Sequence, residues 1–394
     1  MTRRQATRNL LSWMAGSPLV ACAQQQELPP TTDRLPALDD LVNVFEFEPV
    51  AKAKIPHNAY EYVASGVDDE WTVRRNREAF GRLSLRPRFL RNTQKLDLSL
   101  ELFGSRIDMP ILVAPTGSQG LLHAEGEMAM ARGAGAAKTI MAISSAATYP
   151  IEKIAAAATG PLWFQLYPAA DLDSTRERVE RAVANGCKAI CFTVDTPYGP
   201  NRERLLRDRS AGAPSASAPR SRQPGARGTV PEPAPYRLRP SLAAQLSWPF
   251  LDQLYAWAKV PVLIKGLLTP EDARRAVDRG AAGIIVSNHG GRRLDRVPST
   301  IEVLPEIADA VGGKIPILID SGFRRGTDIL KALALGAKAV MVGRPTVWGL
   351  GAYGQPGAQR VLELLQTELA RAMGLTGCAN LAAIDRSLVR MTRF

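Results

Sequence analysis

Of the three histidines in this chain, only His289 stands among groups that could put it to use. The apolar run Gly283–Val286 gives way to Ser287, Asn288, His289, Gly290, Gly291, Arg292 and Arg293. A neutral imidazole can take a proton near physiological pH, and the two arginines that follow add fixed positive charge. Asp195, just beyond another apolar run, offers a carboxylate to orient that imidazole, and Lys265 and Arg202 add cations. The residues thus offer a base, a carboxylate to orient it and a set of cations. A second group, Asp320-Ser321-Gly322-Phe323-Arg324-Arg325-Gly326 with Gly343-Arg344, combines glycine, a helix start and arginine, a pattern suited to phosphate. His57 and His123 read as structural. Arg293 and Arg325, each beside another arginine, read as surface or supporting residues. Gln165 or Thr193 alone could equally be interior packing.

These residues need a frame that brings distant stretches to one place. Short apolar runs recur at 110–114, 139–144, 162–167, 189–194, 262–265, 283–286, 317–319 and 339–342. Amphipathic segments separate them, such as 171–185, 269–279, 300–311 and 327–335. One helix start is well marked, with Thr269 as N-cap, Pro270 at the first helical position and Glu271 and Asp272 following. Eight buried strands alternating with helices predict an α/β fold, a closed (β/α)8 TIM barrel. No GxGxxG follows the first strand, which argues against a dinucleotide-binding open sheet. In a barrel the strand ends converge on one mouth. The polar residues at those ends are 115–119, Ser144 and Ser145, Gln165 and Tyr167, Thr193 and Asp195, Lys265, 287–289, 320–322 and 343–344. A buried Lys265 or His289 without a partner would cost several kcal/mol, which favours a functional reading of both.

The remaining segments are extensions. Residues 41–82 have a helical pattern, followed by an extended crossing at 86–90, and 359–373 predicts a closing amphipathic helix. The fourth unit is interrupted by a Pro/Ala/Ser/Arg-rich stretch at about 205–245, predicted as a mobile loop over the catalytic face. Residues 202–239 hold nine arginines against three acids, half of the formal net charge of +12. The excess charge therefore lies mostly in that loop, and no nucleic-acid motif accompanies it. The cysteines, Cys22, Cys187, Cys191 and Cys378, form no CxxC and no zinc-type cluster, so no metal is expected. At the start, Arg3, Arg4 and Arg8 precede a short apolar stretch and Leu19-Val20-Ala21-Cys22. Residues 1–26 read as an export signal with Cys22 as a lipidation point, and 27–40 as a linker. A periplasmic or membrane-anchored lipoprotein is the expectation, with a cytoplasmic protein as the alternative.

Ser287-Asn288-His289-Gly290-Gly291-Arg292-Arg293-Leu294-Asp295 closely resembles the signature of the FMN-dependent 2-hydroxy-acid oxidase and dehydrogenase family, which includes glycolate oxidase, lactate oxidase and dehydrogenase, and mandelate dehydrogenase. Ala64-Ser65-Gly66, Pro115-Thr116-Gly117-Ser118-Gln119, Gln165-Leu166-Tyr167, Thr193-Val194-Asp195-Thr196-Pro197, Lys265-Gly266, the 320–326 segment and Gly343-Arg344-Pro345 follow the family's order. The resemblance covers about residues 41–390, apart from the loop. It implies FMN as cofactor, with His289 as base, Asp195 stabilising its charged form and Lys265 beside the flavin's N1–O2 edge. It gives the substrate carboxylate to Arg292, Tyr62 and Arg202, and the substrate hydroxyl to Tyr167. Pro115, Thr116 and Gly117 would support the flavin ring. Ser144, Gln165, Thr193 and Ser287 would bond its polar edge and ribityl chain. Asp320, Ser321, Gly322, Phe323, Arg324, Gly343 and Arg344 would take the ribityl and phosphate. Two departures stand out. Ala146 replaces the bulky tryptophan of glycolate oxidase, leaving room for a lactate-like or larger (S)-2-hydroxy acid, and Tyr198-Gly199-Pro200-Asn201 before Arg202 differs from the usual pattern. Oxygen, a quinone or a cytochrome remain possible electron acceptors, and a homotetramer is the family's assembly. The competing readings are a membrane-associated lactate- or mandelate-type dehydrogenase and a non-catalytic FMN-binding lipoprotein.

Overall fold

A computed structural model describes residues 35–169, 171–210 and 247–392. The chain divides into a unit at Met1–Ala37, of which only residues 35–37 are described and have no regular structure, and a unit at Leu38–Phe394. The expected export signal thus lies outside the described residues, as do most of the linker and the loop at 211–246. The helix Glu203–Ser210 runs into the segment read from sequence as loop.

Eight parallel strands close into a barrel: β1 Ile111–Val113, β2 Met141–Ser144, β3 Leu162–Leu166, β4 Ile190–Thr193, β5 Val262–Leu267, β6 Gly283–Val286, β7 Ile317–Ile319 and β8 Ala339–Val342. Each pairs with its neighbours in sequence, and β8 closes on β1 through Val340, Met341 and Val342 against Ile111, Leu112 and Val113. Seven of the eight strands are buried at every position, and β5 departs only at Gly266, as expected where helices cover one face and barrel packing fills the other. Leu112, Ala142, Trp163, Cys191, Leu263, Ile285, Leu318 and Met341 form the interior, joined by Leu100, Leu102 and Ile107 of an antiparallel hairpin, Leu100–Leu102 with Ser105–Ile107. The barrel is therefore packed solid below its mouth.

Local chemistry explains the elements. Thr269 accepts a hydrogen bond from the Asp272 N–H ahead of Pro270–Asp278, as its cap reading predicts. The 41–82 pattern resolves into Phe47–Lys54, His57–Ala64 and Trp71–Glu78, divided at Pro56 and at the turn after Ser65. The closing helix is longer than predicted, Arg344–Thr376, with a break at Tyr353 and Gly354. Leu83–Leu85 pairs with Val389–Met391, tying the start of the barrel unit to its end.

Candidate active site

Every residue assigned to catalysis, substrate or cofactor from the sequence except Asp195 and Ser287 lines one cavity of about 370 Å³ at the C-terminal ends of the strands, within the usual size range for a small-molecule site. Ser287 lies just beneath, fully buried, where its Oγ accepts from Lys265 Nζ at 2.7 Å and from the His289 N–H at 3.0 Å.

The β6 turn is built to present one imidazole. His289, Gly290 and Gly291 have φ of 58°, 66° and 74°, three successive left-handed residues. Holding a non-glycine residue there costs of order 1–2 kcal/mol. At Gly291 a side chain would lie 2.8 Å from Val73, so glycine is required twice over. The turn is pinned from the N-terminal extension. Asp295 accepts from the Trp71 and Thr72 N–H groups, and the Asn288 and Asn76 amides bond reciprocally.

His289 Nδ1 lies 2.9 Å from Asp195 Oδ1, and Nε2 lies 3.1 Å from the Tyr167 hydroxyl. With Nδ1–H donated to the carboxylate, the Nε2 lone pair faces the cavity. Burial pulls the imidazole down to about 4, against the attraction of Asp195, so the ring is neutral at pH 7. Burial also acts to raise the Asp195 carboxyl, but His289 and Lys265 outweigh it and hold it low. Asp195 packs against Gly266 at an irregularity in β5, where any side chain would lie 2.8 Å from the Asp195 Cβ.

Lys265 Nζ sits 3.1 Å from Asp320 Oδ2. Burial disfavours its charge, but Asp320 and Asp195 more than compensate and it remains an ammonium. Beside it a polar row crosses three strands: Ser144 Oγ donates to Gln165 Oε1 at 3.1 Å, and Gln165 Nε2 to Thr193 Oγ1 at 2.9 Å. Gln165 and Thr193 are thus more than packing.

The other end of the cavity is cationic. Burial, then neighbouring guanidinium groups, push Arg202 to about 8, Arg344 to about 9 and Arg324 to about 10. Arg292 is lowered as well, first by burial. None of these four pairs with a carboxylate among the described residues. Instead Arg292 and Arg344 donate to the backbone carbonyls of residues 62–65 and Gly290. Arg202 and Arg292 both lie over the Tyr62 ring, so the unusual 198–201 segment still delivers Arg202 to the site. Guanidinium groups stay charged in proteins, so such depressed values express a demand for anions. Sequence reasoning missed Arg293, which lines the cavity and lies over Tyr167.

A family model described as FMN-dependent dehydrogenase matches residues 51–391. The chain belongs to that family. It is 45% identical over 353 residues to "Glycolate oxidase 1" of Zea mays, covering 89% of this chain and 95% of the relative. It is 44% identical to "Glycolate oxidase" of Spinacia oleracea, covering 88% and 95%. Among solved structures, mandelate oxidase with (S)-2-phenylpropionate superposes with a TM-score of 0.78 at 39% identity, over 90% of this chain and all of that one. The protein is an FMN-dependent 2-hydroxy-acid oxidoreductase by family, acting on CH–OH. The residues present fit the cofactor. Pro115, Thr116 and Gly117 line the cavity, the polar row and Lys265 offer bonds to a heterocycle edge, and Arg324 and Arg344 are cations without carboxylate partners among the described residues. The expected export and lipoprotein anchoring do not stand. The relatives that match it over most of its length are plant glycolate oxidases. A basic, short apolar start is a weak signal, because composition alone also yields it.

Proposed function

We propose that the enzyme converts an (S)-2-hydroxy acid of lactate size or larger to the 2-oxo acid and passes the electrons to oxygen. The single observation carrying this reading is the relay Asp195–His289–Tyr167, with Nδ1 2.9 Å from the carboxylate and Nε2 3.1 Å from the phenol. It is what a base needs: a fixed tautomer, a neutral ring and an Nε2 lone pair on the cavity side, held by the Tyr167 hydroxyl until substrate takes its place.

Arg292 and Arg202, stacked on Tyr62, hold the substrate carboxylate and release their backbone carbonyl partners to do so. Tyr167 bonds the substrate hydroxyl beside Nε2. His289 takes the proton that leaves the substrate, and Asp195 offsets the charge then formed on the ring. FMN, when bound, would supply the acceptor for the two electrons and the second hydrogen. Pro115, Thr116 and Gly117 support it, with Ser144, Gln165, Thr193 and Lys265 along its polar edge. Arg324 and Arg344, near Asp320–Phe323 and Gly343, hold its phosphate. Oxygen as acceptor is favoured by the oxidase relatives, and Ala146, which lines the cavity, favours a substrate bulkier than glycolate.

The test is anaerobic. Purified holoenzyme mixed with (S)-lactate or (S)-mandelate should lose its yellow colour, and His289→Gln should not. Admitting oxygen should restore the colour within a turnover time. Normal bleaching by the variant would remove His289 as the base, and slow reoxidation would point to a quinone or cytochrome acceptor.

A further inference from the structure

The charge around the cavity exceeds what the proposed reaction uses. Six cations line it: Lys265, Arg202, Arg292, Arg293, Arg324 and Arg344. One carboxylate, Asp320, also lines it, and it is engaged with Lys265. A phosphate monoester and one substrate carboxylate bring about three negative charges. With Lys265 on Asp320, Arg202 and Arg292 on the carboxylate and Arg324 and Arg344 on the phosphate, Arg293 is the cation without a task.

Arg292 and Arg202 sit on Tyr62, at 5.4 and 5.0 Å from its ring centroid, while Arg293 sits on Tyr167, at 5.8 Å. Tyr167 is the residue that meets His289 Nε2, so Arg293 flanks the reacting carbon on a different aromatic wall from the carboxylate clamp. Among the described residues Arg293 has no carboxylate partner. Its one hydrogen bond is a long 3.5 Å contact to the Tyr167 hydroxyl, and its Nε is buried without a partner. Nearby arginines outside the cavity are paired: Arg204 with Glu61 and Glu70, and Arg296 with Asp69. Ala146 also lines the cavity, next to Ser145, whose Oγ accepts from the Tyr167 N–H. The wall that carries the spare cation is therefore also close to the small residue.

We propose that Arg293 determines specificity by binding a second carboxylate, so that 2-hydroxy dicarboxylic acids are favoured over monocarboxylic ones. This rests on the function proposed above. The first carboxylate lies on Arg292 and Arg202, the hydroxyl at His289 and Tyr167, and the distal carboxylate on Arg293. Charge-assisted hydrogen bonds of this kind are worth roughly tenfold to a hundredfold in binding.

The experiment compares kcat/KM for (S)-malate and (S)-2-hydroxyglutarate with that for (S)-lactate and (S)-mandelate, in the wild-type holoenzyme, Arg293→Leu and Arg293→Lys. The expected result is that Arg293→Leu lowers kcat/KM for the diacids at least tenfold more than for the monoacids, mainly through KM, and that Arg293→Lys recovers part of the difference. Calorimetric titration of holoenzyme with 2-oxoglutarate and with pyruvate gives a readout independent of turnover. The preference for 2-oxoglutarate should shrink in Arg293→Leu. An equal loss for diacids and monoacids, or an unchanged product preference, overturns the assignment while leaving the oxidase reading intact. A wild-type enzyme that oxidises neither class overturns both.

Discussion

The acid limb of the pH profile tests the site most directly. A histidine with its ordinary pKa near 6.5 would be only about three per cent neutral at pH 5, whereas one at about 4 is about nine-tenths neutral. Activity that needs the neutral ring should therefore differ about thirtyfold at pH 5 between the two cases. The cause is burial, which removes water from the imidazolium and is only partly offset by Asp195. The sign follows: the competent form persists as pH falls through 6.5 and is lost only as pH approaches 4. The assay is kcat/KM for (S)-mandelate from pH 4 to 8, which reports the free enzyme. The profile should be flat from 8 to about 5. An inflection between 6 and 7 would refute the reasoning, because it would mean that the ring is hydrated or that Asp195 dominates.

Asp195→Asn sharpens the same test. It removes the charge that raises the imidazole, so the acid limb should move further down rather than up. An amide can present either N–H or C=O to Nδ1, so the tautomer is no longer dictated. The rate plateau should fall by about 100-fold or more. An upward-moving limb would show that the carboxylate is not what faces Nδ1.

Four shorter expectations follow. Because the folded pKa of His289 lies below its unfolded value, folding stability should fall as pH drops from 6.5 towards 4, and His289→Gln should lose less stability over that window in thermal melts. Gly291→Ala, at φ 74° and 2.8 Å from Val73, should lower stability by about 2 kcal/mol or more and disable turnover by moving Arg292. Lys265→Met leaves Asp320 buried and unpaired and should cost about 3–5 kcal/mol, with Asp320→Asn restoring part of the stability but not the activity. Ala146→Phe should reduce kcat/KM for mandelate at least about tenfold more than for lactate, since it fills the cavity where a large side chain must go.

The barrel was legible because its strands are buried on both faces, which leaves short apolar runs of β-length separated by caps such as Thr269 and Pro270. The hairpin at 100–107 was not, because three-residue strands joined at Phe103-Gly104 carry too little period to separate from loop. The candidate site residues were legible because each lies towards or just beyond the C-terminal end of a strand, where a polar residue has no structural excuse. Asp195 and Lys265 could be named from position alone, although the contact of Asp195 with Gly266 depends on a bulge that no sequence pattern marks.

Arg293 shows where reading by type and spacing fails, and why. Two adjacent arginines on a helix or strand point to different faces, so one of them is ordinarily spent on solvent. Here they follow three left-handed residues, and the chain at 289–293 is neither helix nor strand. The turn sends Arg292 to Tyr62 and Arg293 to Tyr167, two walls of the same cavity. The left-handed turn that positions His289 thus also divides two neighbouring cations between two aromatic walls of the cavity. On the proposed reading, one turn supplies both the base and a second anion site. Loss of Gly290 or Gly291 should accordingly disturb discrimination between mono- and dicarboxylates together with turnover, whereas an Arg293 change should disturb discrimination far more than turnover of monocarboxylates.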